Sequence, residues 1–169
     1  VDLCAVVEDC LGLMEPLARE RGLLFQHQGL PGVVVRADRV RLKQVLLNLL
    51  SNAIKYNRER GRVALSVSAA GEQRVRVIVE DTGAGIPVEL QARLFEPFNR
   101  LSAENSDVEG TGIGLTISRR LVEMMGGSIG VDSEPGRGSR FWIELPLESG
   151  TLARHDESGA GSRSVAPAD

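Results

Sequence analysis

The segment Gln44-Val-Leu-Leu-Asn48-Leu-Leu-Ser-Asn52-Ala-Ile-Lys55-Tyr56 combines apolar and polar side chains at helical spacing. At about 3.6 residues per turn, the polar side chains lie within a narrow arc. They are Gln44, Asn48, Asn52 and Lys55. The other side of the same helix carries Leu42, Val45, Leu46, Leu49 and Ala53. The pattern predicts a helix that packs with one face and presents polar groups on the other.

The periodicity of the flanking sequence predicts the rest of the fold. A first helix is predicted from the start of the chain to Gly22, and Asp38 is predicted to cap the helix with the polar stripe. Short strands are predicted at 23–27, 33–37, 63–67, 75–79, 128–133 and 139–145, and further helices at 88–94 and from about Gly112 to Gly126. This order predicts an α+β fold, a two-layer α/β sandwich in which three helices cover one face of a mixed sheet of about five strands.

Composition restricts the function classes. The chain has 169 residues, 42% hydrophobic residues and a formal charge of -3, which fits one globular domain over residues 1–147. The charge gives no reason to expect a nucleic-acid partner, and no membrane span or signal peptide is recognisable. We therefore expect a cytoplasmic segment without direct membrane contact, although its parent protein can be membrane-anchored. Residues 148–169 are predicted to form a disordered tail or linker.

The cysteines do not indicate a metal or redox site. Cys4 and Cys10 match neither a zinc motif nor a CxxC pair. They are predicted to be buried apolar residues in a reducing compartment.

The polar stripe has the side chains that a metal-bound phosphate needs. Asn52 offers a neutral carbonyl oxygen suited to Mg²⁺, and Asn48 lies one turn earlier. Lys55 can place a positive charge near phosphates, and Tyr56 can lie against a base or ribose. A solvated helix face would also explain a polar stripe. Asparagine is unfavourable inside a helix, however, and two of them one turn apart weaken that explanation.

Two glycine-rich segments follow the helix. In Asp81-Thr-Gly-Ala-Gly85, Asp81 ends an apolar strand and can accept a hydrogen bond from an adenine amine. Gly83 and Gly85 let the backbone approach a planar base, and Ile86 helps to close the turn. An ordinary strand-ending turn would have the same sequence.

The second segment, Gly110-Thr-Gly-Ile-Gly114, precedes a helix, so its amides can cradle a phosphate. No strand leads into it, and Leu115 stands where a Rossmann glycine would fall. A Walker lysine is also missing, and a flexible hinge is the alternative. The polar stretch from Asn99 to Gly110 is predicted to be a mobile loop.

The asparagine helix, the Asp81 segment, Phe95-Glu-Pro-Phe98 and the Gly110 segment, in this order, resemble the ATP-binding catalytic domain of bacterial sensor histidine kinases. That family lies within the Bergerat-fold ATPase superfamily, and the resemblance runs from Val1 to about Leu147. It implies ATP and Mg²⁺ as cofactors and a mobile ATP lid over roughly 99–111.

The resemblance also implies site residues. The catalytic residues would be Asn48, Lys55 and Arg100, and Asn52 would bind Mg²⁺ with Asn48 as a second candidate. The nucleotide would contact Asn52, Tyr56, Asp81, Gly83, Gly85, Ile86, Phe98, Gly110, Thr111, Gly112, Ile113, Gly114, Leu115 and Ser139. Asn57 stands where Ser or Thr is more usual, and Asn99 where an aromatic residue is often found.

The residue type at position 48 distinguishes ATP hydrolysis from phosphoryl transfer. Related ATPases of the superfamily use a glutamate at the matching position to activate water, and an amide is a poor general base. The resemblance therefore implies transfer of the γ-phosphoryl group to a protein histidine, for which positioning and charge neutralisation suffice. An ATPase or serine kinase of the same superfamily, or a nucleotide-binding pseudokinase module, are the alternatives.

The acceptor histidine is expected elsewhere. His27 and His155 lack the sequence context of a phosphoacceptor helix. We expect the dimerisation and phosphoacceptor hairpin of the parent kinase to precede Val1, so the chain alone should bind ATP without phosphorylating itself. The implied partners are this hairpin and the receiver domain of a response regulator.

Overall fold

Nine helices and strands occur in the residues described by the computed structural model, 1–96 and 114–148. The helices are α1 (Leu3–Glu20), α2 (Arg39–Lys55), α3 (Val88–Gln91) and α4 (Gly114–Met124). The strands are β1 (Leu24–Gln28), β2 (Arg62–Ala69), β3 (Arg74–Asp81), β4 (Ser128–Glu134) and β5 (Gly138–Pro146). The predicted lid, and the predicted tail beyond Glu148, lie outside the described residues.

The strands form one mixed sheet in the order β1-β2-β3-β5-β4. β1 pairs with β2 in parallel, and the crossover between them is α2; the other three pairings are antiparallel. Along β3, buried and half-buried residues alternate, as expected for a sheet with one covered face. The predicted α+β fold with a five-stranded mixed sheet is confirmed.

The helices α1, α2 and α4 pack together over one face of this sheet, with α2 in the middle. The apolar side of α2 is buried as its sequence predicts, and its buried residues are Leu42, Val45, Leu46, Leu49, Leu50, Ala53 and Ile54. The Asp38 side chain accepts a hydrogen bond from the Arg41 amide at 3.0 Å, which confirms the predicted cap. The polar stripe of α2 consequently faces away from the core.

The strand predicted at 33–37 is wrong. Val33 and Val35 are buried, and this alternation resembles that of a strand, but the segment forms only isolated bridges from Asp2 to Val34 and from Val35 to Leu147. Its backbone bonds are shared between two parts of the chain: Val35 pairs with Val1, and Arg36 N donates to Pro146 O at 3.0 Å. Because successive residues of this segment pair with different parts of the chain, they do not form the continuous hydrogen-bond ladder of a strand.

Neither cysteine forms a disulfide. Cys10 is buried, and burial raises the pKa of its thiol to about 11, so the thiol stays protonated. Cys4 is half-buried. Among the described residues, no helix has both the length and the apolar character required to cross a bilayer.

Candidate functional site

The polar face of α2 lies between two backbone segments that approach it closely. A Cβ atom on Gly114, the first residue of α4, would lie 2.7 Å from Asn48 Oδ1. A Cβ atom on Gly83 would lie 2.3 Å from Tyr56 O. Asn48 and Tyr56 are eight residues apart, which is about 12 Å along a helix axis. The structure thus brings the Asp81 segment to one end of the polar stripe and the start of α4 to the other.

At the α4 end, the amide of Asn48 is held by a hydrogen bond. Asn48 Nδ2 donates to Ser118 Oγ at 3.0 Å. Asn52 lies one turn further along α2 and is half-buried, as are Asn48 and Lys55. Because residues four apart share a helix face, the two amides border the same space. Ser118 was not predicted, because nothing in the sequence distinguishes a serine inside an amphipathic helix from a surface residue.

At the other end, Asp81 is a buried carboxylate with only 7% of its surface exposed. The Gly83 amide donates to Asp81 Oδ1 at 2.9 Å. Burial nevertheless raises the pKa of Asp81 to about 6, although backbone hydrogen bonds from Gly83 and Ser139 favour the charged form and Glu80 disfavours it. The site therefore holds a carboxylate that is not fully compensated in the free protein, which suits a ligand with a hydrogen-bond donor.

The raised pKa of Asp81 predicts a pH-dependent stability. Its folded value of about 6 exceeds the ordinary value of 3.8, so the folded state binds more protons between these values, and stability falls as pH rises from about 4 to about 6. The loss is about 3 kcal/mol for a shift of about two units. Asp81→Asn should remove it, because an amide stays neutral and can still accept from Gly83 N.

Urea unfolding of the wild type and Asp81→Asn at pH 4.5 and pH 7.5 measures this effect. The variant should gain about 3 kcal/mol over the wild type at pH 7.5 and only about 1 kcal/mol at pH 4.5. Glu80→Gln is the matched control, because Glu80 is adjacent, 42% exposed and paired with Arg140 at 3.6 Å. Equal pH profiles for wild type and Asp81→Asn would contradict the prediction.

Hydrogen bonds from the β4–β5 hairpin hold the turn that follows Asp81. The Ile86 amide donates to Ser133 Oγ at 2.8 Å, and that hydroxyl lies 2.7 Å from Ser139 Oγ. Gln91 Nε2 donates both to Ile86 O at 2.8 Å and to Ser133 O at 2.9 Å. Of these residues, the sequence indicated only Ile86 and Ser139. Ser133 and Gln91 were missed because the bonds that join the hairpin to this turn, Ile86–Ser133 and Gln91–Ser133, span 47 and 42 residues.

Gly85 is required by the approach of the same hairpin. Its φ is +76°, and a Cβ atom would lie 2.0 Å from Glu134 O. We expect Gly85→Ala to destabilise the fold by at least about 2 kcal/mol more than Gly71→Ala, because both pay for a left-handed alanine but only Gly85→Ala also displaces backbone. Gly71 has a φ of +83° and open space around its Cβ position.

Urea unfolding of the two variants tests this difference. If Gly85→Ala and Gly71→Ala lose the same stability, the close approach of Glu134 O adds no cost to an alanine at position 85.

Asn57 links the end of α2 to the Asp81 segment. Its Oδ1 accepts from Thr82 Oγ1 at 3.0 Å, and its Nδ2 donates to Arg62 O at 2.9 Å. The asparagine thus makes hydrogen bonds to the turn after β3 and to the start of β2, at a position where the resembled family more usually has Ser or Thr.

The remaining predicted residues divide into two groups. Leu115 is half-buried and packs against the core. The others lie outside the described residues: Phe98, Arg100, Gly110, Thr111, Gly112 and Ile113. Within residues 1–96 and 114–148, no group of three or more His, Cys, Asp and Glu side chains could hold a metal ion.

The sequence matches the family model of histidine kinase-, DNA gyrase B-, and HSP90-like ATPases over residues 37–149. This match contains α2, the Asp81 segment and the whole of β5. The chain belongs to this family.

The similar members of this ATPase family include sensor histidine kinases. Sensor histidine kinase AruS of Pseudomonas aeruginosa is 42% identical over 163 residues, which cover 89% of the chain and 16% of AruS. Full-length ShkA, crystallised with AMPPNP, has a TM-score of 0.77 and 38% identity over 87% of the chain and 30% of ShkA. Histidine kinase ThkA, crystallised with response regulator protein TrrA, has a TM-score of 0.72 and 30% identity over 88% of the chain and 41% of ThkA.

The catalytic domain of histidine kinase ThkA, crystallised alone, has a TM-score of 0.74 and 32% identity over 86% of this chain and 93% of that domain, so the chain belongs with histidine kinase catalytic domains. The chain spans only 16% of the length of AruS and 20% of the sensory/regulatory protein RpfC of Xanthomonas campestris. The activity of the whole protein is therefore inferred from the site.

Proposed function

We propose that this domain binds Mg-ATP along the polar face of α2 and positions its γ-phosphoryl group for transfer to a histidine. The proposal rests mainly on the arrangement around α2. The buried carboxylate of Asp81, at the end of β3, lies at one end of the polar stripe, and the amide side chains of Asn48 and Asn52 lie toward the other end. A nucleoside triphosphate has chemistry complementary to these groups, because its base donates hydrogen bonds and its phosphates bind a metal ion.

The base would bind at Asp81. Its carboxylate would accept a hydrogen bond from the adenine amine. Gly83 and Gly85 let the turn after Asp81 pack closely against the backbone of Tyr56 and Glu134, which holds this turn beside the proposed base site. Ser139 provides a hydroxyl at the same end, since it is the β5 partner of Asp81 in the antiparallel register. Tyr56 is 44% exposed at the end of α2, where it can cover the nucleoside.

The phosphates would bind toward the start of α4. Asn52 and Asn48 fit Mg²⁺, because they offer neutral oxygens to a hard cation that takes its other ligands from phosphates and water. When bound, Mg²⁺ neutralises charge that develops on the phosphates during transfer. Lys55 adds a positive charge on the same face of α2. Roles for Phe98, Arg100 and the glycines of the Gly110 segment stay part of this proposal.

The fate of the phosphoryl group depends on Asn48. Its amide cannot serve as a general base for water, so hydrolysis is disfavoured relative to transfer to an imidazole, which is already a nucleophile. We propose a histidine on the parent's phosphoacceptor hairpin as the acceptor. A response regulator receiver domain would be the next partner, as the ThkA complex with TrrA suggests for this kind of kinase. Residues 1–147 would form this catalytic domain, and 148–169 a tail or linker.

Transfer of γ-labelled phosphate from Mg-ATP to the parent's hairpin, supplied in trans, tests the proposal. Acid-labile label on the hairpin is expected, with little free phosphate released in the same reaction. Released phosphate without label on a folded hairpin would indicate an ATPase instead. Neither product, with ATP still bound, would indicate a nucleotide-binding module.

A further inference from the structure

Ser118 is a buried polar residue to which the proposed reaction assigns no role. Three polar or charged side chains are buried among the described residues: Asp81, Ser118 and Ser139. Two of them belong to the proposed base pocket, whereas Ser118 lies in α4 with 2% of its surface exposed. A buried hydroxyl costs stability unless it forms a hydrogen bond, and this one accepts from Asn48 Nδ2 at 3.0 Å.

The bond fixes the Asn48 side chain against α4. With Nδ2 directed at Ser118, the oxygen Oδ1 is the atom that lies closest to the Cβ position of Gly114, at 2.7 Å. The terminal torsion of an asparagine is broad, and its two ends differ little in size. Without a fixed partner, the amide could leave α4 and adopt other orientations.

We propose that Ser118 is a positioning residue that holds the Asn48 side chain at the proposed metal–phosphate end of the site, where its oxygen lies next to Gly114. This inference rests on the proposed function, because it assumes that Asn48 acts on Mg-ATP. It also connects two helices: α4, which begins at Gly114, sets the orientation of a side chain on α2. A metal-binding role needs the oxygen end, since an amide nitrogen is not a ligand for Mg²⁺.

The ATP affinity of this chain, measured with Mg²⁺ and with EDTA, tests the assignment. Ser118→Ala should reduce the gain in affinity that Mg²⁺ produces by about three- to tenfold, the effect of a lost hydrogen bond to a polar partner. Affinity in EDTA should stay within about twofold, because the base pocket is distant from α4. Asn48→Ala should show the same selective loss.

A double-mutant cycle separates positioning from simple destabilisation. If Ser118 acts through Asn48, Ser118→Ala should cause no further loss in the Asn48→Ala background. Val122→Ala is the matched control: Val122 is fully buried one turn later on α4. It should lower stability but leave the Mg²⁺-dependent gain unchanged.

Three results would overturn the assignment of Ser118: an unchanged Mg²⁺ gain in Ser118→Ala, an equal loss in EDTA, or a loss that adds to that of Asn48→Ala. Failure of the proposed function has a different signature, because the wild type would then show no Mg²⁺-dependent ATP binding.

Discussion

Asp81→Asn is expected to weaken ATP binding by roughly 10- to 100-fold at pH 7.5, the value of a hydrogen bond to a charged group. The Gly83 amide already bonds to Oδ1 at 2.9 Å. An asparagine that keeps this bond must place its nitrogen where the second carboxylate oxygen lies now. A donor would then face the adenine amine, which is also a donor.

Titration of ATP into wild type, Asp81→Asn and Glu80→Gln measures the effect. Glu80→Gln removes the same charge from the neighbouring residue, whose side chain pairs with Arg140, and should keep nearly full affinity. Urea unfolding of Asp81→Asn at the same pH separates a loss of binding from a loss of folding. Wild-type affinity in Asp81→Asn would exclude this carboxylate as the contact for the base.

Asn52→Ala is expected to lower phosphoryl transfer by roughly 10²-fold or more, because it removes the principal protein ligand proposed for Mg²⁺ and the charge stabilisation that the ion supplies. The fold should tolerate the change, since Asn52 is half-buried and alanine is the better helix former.

The matched variant is Asn52→Asp, which keeps an oxygen ligand and should retain part of the activity. Initial rates of label transfer to the hairpin, measured over a range of Mg²⁺ concentrations, compare the two variants with wild type. If Asn52→Ala has the same rate and Mg²⁺ dependence as wild type, the metal lies elsewhere.

Local periodicity was sufficient to predict most of the fold. The helical spacing in α2 and the alternation in β3 reflect burial on one face, and the structure has both elements where the sequence indicates them. The segment 33–37 failed because Val33 and Val35 alternate like a strand, yet they pack between residues near the two ends of the described domain. Side-chain periodicity predicts which residues are buried, but it does not predict which backbone groups form hydrogen bonds with each other.

Residues of the candidate site were predictable where they lie within one motif. Asp81 and Gly83 are close in sequence, and the structure joins them by a hydrogen bond. Ser118 is 70 residues from its partner Asn48, and Ser133 is 47 residues from Ile86. Such contacts depend on how α4 and β4 pack, and no local pattern reports that packing.

The segment at 33–36 also brings two distant parts of the domain together. It bonds to Val1 and to Pro146, so these two residues, which are far apart in sequence, lie next to the same segment. Closing a short loop between such points costs little entropy. A longer chain can therefore carry this domain as an inserted module, with almost no change in the distance between the sequences on either side.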